Sequence, residues 1–206
     1  MTTTISAKEV SELRSRTGAG MMDCKKALQD TDGDLDKAVQ LLRQKGIAKA
    51  EKRTGRSARE GAIGSYLHFN GRVAVLVELN SETDFVARTD DFQNLARDLA
   101  MHVASAKPLA VSPDEIPADV VERERAIFEA QVAESGKPEQ VRPKIVEGKL
   151  KKFYSESVLL EQPFVKDPDL TVEKLIAEKI GKLGENIQVC RFARFQLGSG
   201  GSSGGE

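Results

Sequence analysis

Few side chains in this sequence have types suited to chemistry. Cys24, Cys190, His68 and His102 stand among thirty-two aspartates and glutamates. The two cysteines lie far apart without a C-x-x-C pair, and two histidines are too few to complete a metal site, so no zinc or disulfide framework is expected. Cys24 falls near the start of a helical pattern, where the helix dipole would favour a thiolate nucleophile. A small cysteine on the apolar side of a helix is also ordinary packing, and packing is the reading adopted. Gly18-Ala19-Gly20 is too short to cradle a phosphate. G-x-x-x-x-G-K-[ST], G-x-G-x-x-G and H-E-x-x-H are all missing. The chain is therefore not expected to be an enzyme or to need a cofactor.

One stretch is harder to dismiss. Glu82 to Arg88 reads ETDFVAR and sets Phe85 among charged residues between the end of a strand pattern and the start of a helix. Two physical readings stand. Phe85 staples the following helix by packing on its first turn near Phe92. Alternatively it protrudes as an anchor, burying a large ring in another protein, with Asp84 accepting hydrogen bonds beside it.

The elements that must position these residues follow from apolar spacing. Ser6-Ala7-Lys8-Glu9 forms a capping box for a first helix whose Val10 and Leu13 face inward. A second helix runs through Cys24, Ala27 and Leu28, and Asp34 caps a third carrying Leu35, Ala38, Val39 and Leu42, with Gly46 suited to end it. Ile63 to Phe69 and Arg72 to Asn80 read as strands joined by Asn70-Gly71 in a type I′ turn. Phe92, Leu95, Ala96, Leu99 and Val103 mark a helix stopped by Pro108, and helical patterns continue from about Val120 to Val132 and from Val141 to Leu159. Thr171 precedes another helix, and Ile187 to Leu197 makes a closing strand. The fold class is α+β: a three-helix domain over 1–54, then a core with a small antiparallel sheet and several helices over 55–197. Residues 198–206 form a glycine-serine tail.

Lys49 to Glu60 carries five basic and two acidic residues with Gly55 and Ser57, and reads as a solvated linker. Without interleaved aromatics it offers no platform for stacking RNA bases. Thirty-one Lys and Arg nearly balance the carboxylates, so the whole-molecule field gives no general reason to bind nucleic acid or a membrane surface. No run reaches membrane-spanning length, and Met1-Thr2-Thr3-Thr4 leads into a charged segment. A cytoplasmic protein is expected.

Four separated motifs share one resemblance. LRSRTGAGMMDCKKAL at 13–28, ETDFVAR, EGKLKKFYSESVLLEQPFV at 147–165 and GENIQVCRFARF at 184–195 resemble, in this order, the bacterial elongation factor Ts family. The resemblance takes in nearly the whole chain except the tail, and implies a factor that exchanges the guanine nucleotide on elongation factor Tu. It further implies that the N-terminal helices form a ubiquitin-associated-like domain docking on the partner's nucleotide-binding domain through Arg14, Met21 and Met22. Asp84 and Phe85 match the pair that intrudes beside the partner's Mg²⁺ and phosphate site. His68, in SYLH, matches a histidine acting near the phosphate-binding loop from a second core module. The sequence has one such module, as the short members do, and those supply the second by homodimerising.

Cys190 departs from the arginine common at that place in the family. Alternation from Ile187 would set Cys190 and Phe192 on one face, opposite Ile187 and Val189, leaving Cys190 as a core residue, an interface residue or a crosslink across a two-fold axis. The competing function class is a regulatory adaptor that uses the ubiquitin-associated-like domain for another partner.

Overall fold

Ser6 caps the first helix. Its Oγ accepts the Glu9 N–H at 3.2 Å while the Glu9 carboxylate accepts the Ser6 N–H at 2.7 Å, the reciprocal pair anticipated for the start of α1 (Ala7–Thr17). The computed structural model describes residues 5–198. Of the glycine-serine tail only Gly198 lies within them. Gly18 takes the left-handed conformation (φ 66°) that ends α1, and α2 (Met21–Asp30) follows. Asp34 accepts the Lys37 N–H at 3.0 Å to begin α3 (Leu35–Glu51). Val10, Leu13, Cys24, Ala27, Leu28 and Ala38 form the small core of these three helices.

Beyond them the order is β1 (Glu60–Leu67), β2 (Val73–Ser81), α4 (Asp84–Ala87), α5 (Asp90–Ala106), α6 (Ala118–Glu134), α7 (Arg142–Ser157), β3 (Pro163–Phe164), β4 (Asp167–Thr171), α8 (Val172–Leu183) and β5 (Ile187–Gln196). The protein is thus α+β, with three N-terminal helices and a small antiparallel sheet of order β1-β2-β5; β3 and β4 make a separate two-stranded ribbon. Among the described residues no helix is long and apolar enough to cross a membrane.

The chain divides into two compact units. The first gathers residues 5–61 with 80–92 and 174–188, so it joins the N-terminal helices to segments distant in sequence. Here Gly46 does not end α3, which continues to Glu51. A Cβ on Gly181 of α8 would lie 2.9 Å from the Gly46 Cα, so Gly181 permits a close crossing of α8 on α3 at Gly46, whereas a Cβ on Gly46 itself would meet nothing within 4 Å. The segment read as a solvated linker buries Ala50 and is mostly exposed over 51–60, but it is fastened. Asn186 Nδ2 donates to the Arg56 carbonyl at 2.7 Å, Asn80 Nδ2 to the Ala58 carbonyl at 3.4 Å, and Lys49 to Glu51 belong to α3.

The second unit comprises 62–79, 93–173 and 189–198. Gly64 of β1 lies against the Ala96 backbone of α5, and Val75, Val77 and Leu79 of β2 are buried, as are Leu95, Leu99 and Val103 of α5. The helices α6 and α7 bury Val132, Val146 and Leu150 between them. The hairpin turn differs from the type I′ expectation: Asn70 does not adopt positive φ, and Gly71 alone does (67°). The Gly71 N–H donates to His68 O at 2.8 Å and the His68 N–H to Val73 O at 2.9 Å. Phe69 and Asn70 are therefore the central turn residues, and Gly71 supplies the left-handed position that follows.

His102 is buried in this unit and fully partnered. Its Nδ1 accepts the Val165 N–H at 3.2 Å, which leaves Nε2–H to donate to Gln162 Oε1 at 2.9 Å. Burial pushes its pKa below 6.5, with the Gln162 bond opposing. The unfolded chain then binds the extra proton first as pH falls. Stability is expected to be full above pH 6.5 and to decline from 6.5 toward the lower folded pKa, with a slope of at most about 1.4 kcal/mol per pH unit. Denaturant titrations between those limits should show a flatter pH dependence for His102→Gln; an unchanged slope would remove His102 as the cause.

Candidate functional site

Phe85 sits on α4, a helix of four residues between β2 and α5. A ring stapling the first turn of α5 would be covered, yet Phe85 is 79% exposed while Phe92 is fully buried without it. The Thr89 hydroxyl instead accepts the Phe92 N–H at 3.3 Å and caps α5. Asp84 faces solvent beside the ring and pairs with Arg88 at 2.8 Å, an exposed contact that a partner can replace at little cost. What this turn can do chemically is present an aromatic and a carboxylate together on a surface.

Residues from the far end of the chain hold the turn. Thr83 donates its N–H and hydroxyl to the two oxygens of Glu185, at 2.9 and 2.6 Å. The Asn186 N–H donates to Glu82 Oε1 at 2.7 Å. Sequence reasoning gave these four residues no role, and no local signal pointed to their pairing.

In the same unit Met21 and Met22 open α2 and are 59% and 75% exposed, a large apolar presentation for adjacent residues. Flexible thioethers in that state suit an adaptable protein contact. Arg14 is exposed on α1. Cys24 is buried, with its thiol 3.6 Å from the Ala19 carbonyl, and burial pushes its pKa up; this is a packing cysteine rather than a nucleophile.

His68 and Cys190 belong to the second unit. The His68 imidazole is half-buried, with Nδ1 3.0 Å from the Tyr66 hydroxyl and its ring 4.4 Å from that of Phe69. Phe69 at the hairpin tip is 92% exposed, an aromatic the sequence reading had assigned only to a strand end. Cys190 is an exposed free thiol, which removes the core alternative. It also does not share a face with Phe192. Cys190 and Arg191 are both exposed while Val189 and Phe192 are half-buried, so the alternation shifts by one residue there, as an inserted residue in a strand shifts it. On the outer side of this sheet Ile63, Leu67, Leu76 and Phe195 are all exposed.

An exposed aromatic beside a carboxylate can serve as a binding surface, and comparison with known proteins supplies the family. The family model described as Elongation factor TS matches residues 25–199. The chain belongs to the elongation factor Ts family. It is 56% identical over 196 residues to Elongation factor Ts of Carboxydothermus hydrogenoformans, covering 95% of this chain and 90% of that one. It is 55% identical to the Elongation factor Ts of Syntrophobacter fumaroxidans, covering 97% and 100% of the two chains. The same identity holds for that of Desulfosudis oleivorans over 95% and 98%. Elongation factor Ts is not a catalytic enzyme in the usual sense, in keeping with the sequence reading.

Proposed function

We propose that this chain is a guanine nucleotide exchange factor for elongation factor Tu, acting in the cytoplasm during translation elongation. The observation that carries the reading is Phe85, 79% exposed on a four-residue helix in a chain of this family. In the proposed mechanism the ring wedges between helices beside the partner's Mg²⁺ and phosphate site, with Asp84 next to it, and displacing those helices weakens the grip on Mg²⁺ and GDP. Residues 1–54 act as a ubiquitin-associated-like docking domain through Arg14, Met21 and Met22. Residues 55–197 form the core and pair it into a homodimer. What supports pairing is that Ile63, Leu67, Leu76 and Phe195 are all exposed on strands of one sheet, with the exposed Cys190 on the same strand as Phe195. His68 then reaches the partner's phosphate-binding loop from the second copy.

Linkage fixes what such a factor must do. If it weakens GDP binding by some factor, GDP weakens its own binding by the same factor. The test measures its affinity for elongation factor Tu with and without saturating Mg²⁺ and GDP, alongside release of labelled GDP. Weaker binding to the GDP form and faster release are expected; equal affinities would sink the mechanism. For the dimer, Phe85→Ala and His68→Ala chains are mixed and allowed to reassort. Partial recovery of exchange by the heterodimer is expected, and no recovery from demonstrated heterodimers would show that both residues act from one chain.

A further inference from the structure

Local bonds close the turn that carries Phe85: the Arg88 N–H donates to the Asp84 carbonyl at 3.1 Å, the Thr89 hydroxyl to the Val86 carbonyl at 2.8 Å, and Asp84 pairs with Arg88 in the open. α4 is a single turn, and Thr83 at its N-cap position makes no side-chain cap bond to it. An isolated helical turn of this length is not stable by itself. Its ring is exposed, and of the four α4 residues only Ala87 is buried, so core packing holds the turn at one position and not at the ring.

A long-range restraint is added by two consecutive residues that follow α8. Glu185 takes both donors of Thr83, the hydroxyl through Oε1 at 2.6 Å and the N–H through Oε2 at 2.9 Å. Asn186 ties the neighbouring position, its N–H donating to Glu82 Oε1 at 2.7 Å and its Nδ2 to the Arg56 carbonyl at 2.7 Å. Glu82-Thr83 and Glu185-Asn186 thus exchange hydrogen bonds crosswise, and the Ser81 hydroxyl adds a bond to the Thr83 carbonyl at 2.9 Å. Glu185 is half-buried and Asn186 and Ser81 are buried, so these bonds are shielded from competing water.

We infer that Glu185 is a positioning residue: by chelating Thr83 it fixes the backbone from which Phe85 projects, so that the ring meets a partner already oriented. The inference rests on the proposed wedge role of Phe85. A preset ring avoids the ordering cost that a mobile turn would meet on binding. Glu185 touches neither GDP nor the partner in this scheme and acts only through the turn.

The test uses the full chain with Glu185→Ala, Glu185→Gln and Thr83→Val. Stimulated GDP release is read as maximal rate and half-saturating concentration, and amide hydrogen exchange is followed at residues 83–88. Glu185→Ala is expected to slow release about 10-fold and to speed exchange of those amides at least as much, about one hydrogen-bonded contact's worth. Glu185→Gln should restore most of both, because its Oε1 can accept the Thr83 N–H while its Nε2 donates to the hydroxyl. Thr83→Val, which removes only the hydroxyl bond, should fall between. The deciding readout is Glu185→Ala in a Phe85→Ala background. A residue acting through the ring has no further effect there, whereas a role in general stability slows release equally in both backgrounds and overturns the inference. Unchanged protection of residues 83–88 in Glu185→Ala overturns it independently of any exchange assay. Normal release by Phe85→Ala alone would instead remove the wedge reading, a result separate from the amide protection.

Discussion

Phe85→Ala is expected to slow stimulated GDP release about 30-fold, the equivalent of losing roughly 2 kcal/mol of anchor burial at the partner. Its melting temperature should stay within about 2 °C of the parent, because truncating a ring that is 79% exposed opens no cavity. The two readouts divide the physics. A ring that packed within the fold would lower stability and exchange together, whereas a ring that meets a partner lowers exchange alone. Phe85→Leu should fall between, keeping apolar area while losing the flat face that enters between helices. Normal exchange by the alanine variant would return Phe85 to the status of a surface residue and leave Met21, Met22 and Arg14 as the contacts to test next.

Capping and periodicity were legible because they are local. The Ser6 and Asp34 caps, the helical spacing in α5 and the closing strand from Ile187 each depend on residues a few positions apart, and each formed as read. Glycines were legible only where their reason was local too. Gly18 ends α1 through its own positive φ, but Gly46 does not end α3, and the glycine that the close crossing requires is Gly181, which nothing near Gly46 in sequence names. Asn70-Gly71 suggested a two-residue turn, yet Phe69 and Asn70 took the centre, since Gly71 alone has the positive φ and so only one of the two positions a type I′ turn requires is left-handed. At Cys190 strict alternation failed because the strand's phase shifts between Val189 and Phe192. The turn of Phe85 was conspicuous by composition, whereas its restraint was not, because Glu185 and Asn186 reach it only after the chain has folded back.

Gly64 should show the steepest dependence on a single methyl group in the second unit. It lies mid-strand in β1, and a Cβ there would fall well inside contact with the Ala96 carbonyl oxygen and 2.5 Å from its carbonyl carbon. Those are helix backbone atoms, flanked on α5 by the buried Leu95 and Leu99, so they cannot swing aside as a long side chain would. Gly64→Ala is expected to cost about 3 kcal/mol, the upper end for overpacking, and to lower the melting temperature by roughly 6–12 °C for a chain of this size. Gly148 supplies the opposite sign. It lies in α7 with nothing within 4 Å of its added Cβ, so Gly148→Ala should stabilise by about 0.5–1 kcal/mol through helix propensity alone. Calorimetry on the two variants separates a general intolerance of added volume from the specific approach of β1 to α5. If Gly64→Ala melts with the parent, the strand does not pack on Ala96 in solution, and the burial of Gly64 would need another explanation.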